Sequence, residues 1–268
     1  MTFSIVAKAD DQWGVAVASK FLAVGAAVPA AQYGVGAVAT QSYANLAYRP
    51  DGLRLMAEGK SAEEALDILV TGDELREQRQ AGLVDAQGRP ATWTGNECNP
   101  WAGGRTGDGY AAQGNILTGP EVVDALADAF EGHAGPLAHR LYSALLAADR
   151  AGGDRRGRQS AALYVVSENG GYGGGSDVLV DVRVDDHADP VPELGRLLDL
   201  YDLYFGKPDP DTLLPLTGEL LDEVQDRLLR LGYETLDAWA GVENYEERIV
   251  KDCIDPVVLE KLREATNP

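Results

Sequence analysis

Met1-Thr2-Phe3-Ser4-Ile5-Val6-Ala7 opens the chain, and the reading of this run decides the fold. From Thr2 onward it is apolar and β-prone, as a strand buried in a sheet would be. Asp10-Asp11-Gln12-Trp13-Gly14 supplies turn residues, and Val15-Ala16-Val17-Ala18-Ser19 resumes the strand pattern. Residues 2–19 therefore read as a β-hairpin with Thr2 at its head.

Thr2 also carries the chemical reading. Methionine aminopeptidases remove a starting Met that precedes a small residue, and Thr qualifies. The exposed terminus would hold a hydroxyl and an α-amine on one residue. That amine has an ordinary pKa of about 7.7–8.0, so a small downward shift makes it a base at neutral pH. Nucleophile and general base would then be self-contained, a pairing that no internal Ser or Thr offers. Chains opening Met-Thr are common and most such threonines are chemically idle, so the reading needs support from the rest of the sequence.

Outward from the hairpin, residues 24–29 (VGAAVP) and residues 34–41 (GVGAVATQ) are apolar, Gly- and Ala-rich runs that read as two more strands packed closely against something. Arg49-Pro50-Asp51-Gly52 leads into helical spacing at Leu53, Leu55 and Met56. Ser61-Ala62-Glu63-Glu64 is a capping box opening a second helix that ends at Gly72. Strands return at Arg79–Asp85 and residues 91–94, residues 95–109 read as a Gly-rich polar loop, and residues 110–116 form another strand. A helix opens near Pro120, with Val122, Val123, Leu126 and Phe130 inward, and a second covers Leu137–Arg150. An Arg-containing loop at 152–160 precedes strands at 161–166 and 179–184 and a helix at Pro190–Phe205.

Strands and helices come in groups, not in strict alternation, which predicts an α+β fold with antiparallel sheets. Two such sheets face to face with helix pairs outside would make a four-layer αββα sandwich. The Pro-rich break at 207–211 divides a domain at 1–206 from a small helical module at 207–268, where residues 216–231 are amphipathic and Asp255-Pro256 starts a last helix.

A net charge of −20 argues against non-specific contact with nucleic acid or an anionic membrane. No stretch reaches the roughly 18 apolar residues of a transmembrane helix, and no export signal is legible, so a cytoplasmic protein is expected. Cys98 and Cys253 make no disulfide framework, and a reduced protein is the simpler reading. No cofactor or metal is expected. In Asp185-Asp186-His187, neighbours at a strand end point to opposite faces and so do not share one ion. His133 and His139 fall on predicted helices as surface residues, and Trp93 and Trp101 read as packing or pocket wall.

Several motifs together resemble one family. Thr2-Phe3-Ser4-Ile5-Val6-Ala7, Gly14-Val15-Ala16-Val17-Ala18-Ser19-Lys20, Gly36-Ala37-Val38-Ala39-Thr40-Gln41, Pro100-Trp101-Ala102-Gly103, Gln113-Gly114-Asn115, residues 157–163 (GRQSAAL) and Arg183-Val184-Asp185-Asp186-His187 are similar to the family catalogued as domain of unknown function 1028. The resemblance covers about residues 2–200. It implies membership of the N-terminal nucleophile (Ntn) hydrolase superfamily, the αββα sandwich reached independently above, and amide hydrolysis by a terminal nucleophile of unstated substrate. Residues 208–268 resemble a peptidoglycan-binding-like tail.

With that context, Thr2 is the expected nucleophile. Lys20 would depress the amine's pKa by like-charge repulsion, or be a solvated strand-end lysine. Ser19 would orient the amine, or simply pack. Asn115 would donate to an oxyanion, or hold a turn, and Gln41 and Asn45 are weaker versions of the same idea. Arg155 and Arg158, with Arg156 between them, would grip a substrate carboxylate, or pair with the many acids nearby. The expected partner is a small amide, ureide or peptide. The alternative is a non-enzymatic binding protein whose tail holds cell-wall fragments or a partner, or forms an interface in a homo-oligomer.

Overall fold

The structure, a computed structural model, describes residues 2–267. It divides into two compact units, one through Arg196 and one from Leu197. The first unit is mixed α and β, with two antiparallel sheets.

The opening hairpin is β1 (Thr2–Ala9) and β2 (Gln12–Ser19), paired in register from Phe3 opposite Ala18 to Ala9 opposite Gln12. Next come the single-turn helix α1 (Val24–Ala27), then β3 (Pro29–Gln32) and β4 (Gly36–Ser42). The strand expected at 24–29 is thus a helical turn followed by a strand that begins only at Pro29. Ser160 explains the difference: its hydroxyl accepts the Val24 N–H at 3.1 Å and secures the turn from across the molecule. Gly25 has a packing reason, because a Cβ there would lie 2.6 Å from the Ala162 Cβ.

Helices α2 (Tyr48–Ala57) and α3 (Ala62–Thr71) follow, and the Ser61–Glu64 capping box is present at α3 as the sequence indicates. The chain continues through β5 (Arg79–Asp85), β6 (Pro90–Thr94), β7 (Gly103–Gly107) and β8 (Tyr110–Asn115). The segment expected as loop at 95–109 therefore contains a strand. Its glycines carry no alternation to read. They are there for proximity, since a Cβ at Gly104 would sit 2.8 Å from Thr92 Oγ1 and 3.0 Å from the Ala112 carbonyl oxygen. Helices α4 (Glu121–Gly132) and α5 (Leu137–Arg150), strands β9 (Ser160–Ser167) and β10 (Val178–Val184), and helix α6 (Pro190–Phe205) complete the order. His139 lies in α5, whereas His133 caps the end of α4 and is not within it.

The six-stranded sheet runs β10-β9-β2-β1-β8-β7 and the four-stranded sheet β3-β4-β5-β6. Strands of the two sheets contact each other, α2 and α3 pack on the smaller sheet, and α4 and α5 pack on the larger. Val6, Val15, Val17, Val28, Ala39 and Val84 belong to a cluster shared by the two sheets. Gly14 lets α5 approach β2, because a Cβ would meet Leu141 Cδ1 at 2.8 Å. This layout places β1 centrally, between β2 and β8, with Thr2 opposite Asn115.

The second unit has its own core of Val224, Leu228, Trp239, Ile254, Val258 and Leu262. These come from α7 (Gly218–Leu231), α8 (Leu236–Glu243) and α9 (Pro256–Thr266), together with one short pairing of β11 (Leu214–Pro215) with β12 (Cys253–Ile254). The expected helical module thus carries a small antiparallel element as well. Glu223 receives Arg263 at 2.7 Å and Arg227 at 2.8 Å, and these bonds lower its carboxyl to about 2. Both cysteines are free.

Candidate functional site

Period-two alternation puts Thr2, Ser4 and Val6 on one face of β1, the face toward the smaller sheet, where Ser4 meets Gln41 and Val6 joins the shared core. Thr2 is only 5% exposed. Its Oγ1 lies 3.1 Å from the Ser19 hydroxyl at the end of β2. Thr2 forms part of the wall of a cavity of about 370 Å³ with Phe21, Val24, Ala27, Val28, Gln41, Ser42, Tyr43, Ala44, Leu46 and Arg79. The expectation concerning Met1 lies outside the described residues.

The residues singled out from sequence separate into groups. Thr2 and Ser19 touch through their hydroxyls. Gln41 reaches the same cavity, but its amide is engaged: Oε1 accepts the Ser4 hydroxyl at 2.7 Å, and Nε2 donates to Gln80 Oε1 at 2.8 Å and toward the Thr2 carbonyl at 3.3 Å. Asn115 sits across from Thr2 and donates to Gln80 Oε1 at 2.9 Å. Lys20 is exposed, and its ammonium donates to the Arg158 carbonyl at 3.2 Å.

Arg155 is exposed, and Arg158 donates to Asp149 at 2.7 Å. Neither lines the Thr2 cavity; Arg158 borders a separate small void with Phe3, Ser19, Asp149 and Asp154. The loop around them is pinned by buried Asp154, which accepts the Lys20 N–H and the Arg156 N–H, each at 2.8 Å. Asn45 also lies outside the cavity lining and donates to Asp73 at 2.9 Å. Just past the end of β10, His187 Nδ1 accepts the Asp189 N–H while Asp186 accepts from Gln159, and no group of three or more His, Cys, Asp or Glu among the described residues is placed to hold a metal ion.

Three features of the site go beyond what the sequence pattern singled out. The first is a polar seam between the sheets. Gln113 donates to the Ser4 hydroxyl at 2.7 Å, and Gln80 donates to the Gly114 carbonyl at 2.7 Å and the Thr94 hydroxyl at 2.9 Å. Gln41, Gln80 and Gln113 are all buried on strands where an apolar residue would be expected, and that inward polar placement is the signal that was there to read.

The second is Arg79, the one charged residue among the described residues lining the cavity. Its Nε donates to Asp73 at 2.9 Å, and Nη1 donates to the Tyr43 carbonyl. Asp73 also accepts the Leu75 N–H at 2.9 Å and the Tyr48 hydroxyl at 3.1 Å. Burial alone would raise the Asp73 carboxyl, but the bonds from Arg79, Asn45, Leu75 and Tyr48 outweigh it and hold the group well below the usual carboxylate range. Burial first, and Asp73 second, push the Tyr48 hydroxyl upward.

The third is backbone strain. Ala23 (φ +53°), Ser42 (φ +69°) and Ile116 (φ +50°) are left-handed, a region that costs non-glycine residues about 1–2 kcal/mol each. Ser42 lines the cavity, Ala23 precedes Val24 in its wall, and Ile116 follows Asn115 opposite Thr2.

Comparisons with known proteins bear on this site. A family model described as "Family of unknown function (DUF1028)" matches residues 2–194, and one described as "Putative peptidoglycan binding domain" matches residues 204–262. Among solved structures, the crystal structure of protein SPO2555 from Silicibacter pomeroyi, assigned to the DUF1028 model, matches with a TM-score of 0.69 and 27% identity, covering 83% of this chain and 89% of that one. HslV from Trypanosoma brucei matches with a TM-score of 0.37 and 11% identity, covering 62% of this chain and 99% of that one. Anbu (ancestral beta-subunit) from Yersinia bercovieri matches with a TM-score of 0.32 and 13% identity, covering 74% and 96%. At those scores, neither bears on the chemistry of this chain. No curated protein matches.

Proposed function

We propose, for a chain that belongs to the DUF1028 family of unknown function, that it is a cofactor-free amidohydrolase whose nucleophile is Thr2, freed by removal of Met1. One observation carries this reading: Thr2 is buried on the central strand, in the wall of a cavity, with its hydroxyl 3.1 Å from that of Ser19. The stacking of helix pair, sheet, sheet and helix pair supports an αββα sandwich of the Ntn hydrolase type.

In the proposed reaction, the Thr2 α-amine takes the hydroxyl proton, directly or through a water, as Oγ1 bonds to the carbonyl carbon. The C–N bond then breaks, and the leaving amine carries the proton away. Water hydrolyses the resulting ester and regenerates the hydroxyl. Ser19 is a positioning residue that fixes the Thr2 rotamer through the hydroxyl contact. Asn115 and Gln41 hold the strand ends on either side of Thr2 through Gln80, which stiffens the nucleophile's seat. Lys20 and Arg158 shape the neighbouring loop. Arg155 is left as an outer contact for substrate, and the setting is proposed to be cytoplasmic.

The test is intact-mass measurement joined to an amide panel assayed for released amine. Loss of Met1, turnover by the wild type and none by a folded Thr2→Ala variant are expected. Retained Met1, or full activity in Thr2→Ala, would overturn the proposal. The match of residues 204–262 favours a second, separable role for the tail as a binding module for cell-wall fragments, with an interface between copies as its competitor.

A further inference from the structure

The cavity beside Thr2 has a chemical character that narrows the substrate. Its wall includes Val24, Ala27, Val28 and Leu46, and Phe21 and Tyr43 stand at 53% and 65% exposure along it. Both flanking loops thus show large apolar groups to solvent beside one hollow, the kind of patch that marks a ligand site. At about 370 Å³ it is at the small end of small-molecule sites, which run from about 300 to 1,000 Å³.

Its one charged lining residue, Arg79, is already bound to Asp73 and to the Tyr43 carbonyl. An anionic group on a substrate would have to compete with a carboxylate that sits 2.9 Å from the guanidinium. A cationic group would meet apolar wall and the same arginine. Burial of an unpaired charge is strongly unfavourable in either case. The other polar lining group with a long reach, Gln41, spends its amide on Ser4 and Gln80.

We infer that the acyl part of the substrate is an uncharged, apolar group of modest size, aliphatic or aromatic, seated among Val24, Val28 and Leu46 with its carbonyl at Thr2. The inference rests on the proposal that Thr2 is the nucleophile, which sets the direction in which the amide enters. It excludes γ-glutamyl and other carboxylate-bearing acyl groups from this cavity.

The test uses the full chain carrying Thr2→Ala, so that binding is read without turnover. Calorimetry compares hexanamide and phenylacetamide with adipamate and 6-aminohexanamide, which present the same amide but a charged far end. The apolar pair should bind more tightly by about tenfold or more, the size of discrimination that even one methylene gives in an apolar pocket. In the added variant Leu46→Glu, at a half-exposed position that tolerates charge, 6-aminohexanamide should gain relative to hexanamide. Equal binding of all four amides, tighter binding of a charged one, or no binding by any of them would overturn the inference. The two failures separate cleanly. Loss of selectivity in Thr2→Ala condemns the apolar seat, whereas retained Met1 with selectivity intact condemns the nucleophile alone.

Discussion

Replacing Asp73 by alanine would remove the acceptor on which the wall of the Thr2 cavity is built. Asp73 takes five donors: Arg79 Nε, Asn45 Nδ2 and the Leu75 N–H, each at 2.9 Å, the Tyr48 hydroxyl at 3.1 Å and Arg79 Nη2 at 3.5 Å. The pair is largely dry, with side-chain exposures of 9% for Asp73 and 13% for Arg79. Breaking such a pair strands the surviving charge, at a cost of about 3–5 kcal/mol. That is a large share of the roughly 5–15 kcal/mol that a domain has in hand. The assay is urea unfolding of the full chain in a Trp239→Phe background, so that the fluorescence comes from Trp13, Trp93 and Trp101 of the first unit. The midpoint should fall with the slope unchanged.

The acid side supplies a second readout. The folded Asp73 carboxyl is held low, so its ionisation favours the folded state. That contribution is complete above the unfolded value of about 3.9 and fades as pH falls through the folded one. The gap between wild type and Asp73→Ala should therefore narrow only below about pH 4. A loss under about 1 kcal/mol, typical of exposed ion pairs, would refute the reasoning. So would a gap that does not depend on pH in that window.

Other substitutions probe separate parts of the account. Gly82→Ala puts a methyl 2.1 Å from Gln113 Oε1 in the seam between the sheets, and should cost about 1–3 kcal/mol in the same unfolding assay. Ala23→Gly relieves a φ of +53° at a half-buried site, and should raise stability by about 0.5–1 kcal/mol. Trp239→Ala empties the centre of the tail's core; by calorimetry it should cost that unit about 3–5 kcal/mol while the first unit's transition stays in place.

The elements legible in the sequence were those with a clear period. β1 and β2 carry long apolar runs, β5 and β8 carry short ones at 81–84 and 110–112, and α3 announces itself with Ser61 and Glu64. Val24–Ala27 did not, because four small apolar residues fit a strand or a helical turn equally well. The deciding contact is Ser160, which no local window contains. β7 escaped because glycines have no sidedness; Gly103, Gly104 and Gly107 are there for close approach to Trp101, Thr92 and Tyr110 in turn.

Thr2 and Ser19 head and end two paired strands, so their proximity follows from the hairpin. Arg79 was hidden as a cavity residue because it opens an otherwise ordinary strand and meets Asp73 across a tight turn. Arg155 and Arg158 stood out in sequence by their clustering, yet that loop spends much of its charge on Asp149 and Asp154.

The most direct test of the central claim is capture of the acyl-enzyme. The wild-type protein is mixed with an activated apolar ester such as p-nitrophenyl hexanoate, quenched in acid, and mapped by peptide mass. The account predicts one hexanoyl group on an N-terminal peptide that begins at Thr2, and none in Thr2→Ala. A hexanoyl group on any other residue, or steady turnover with an N-terminal peptide that still begins at Met1, would contradict it.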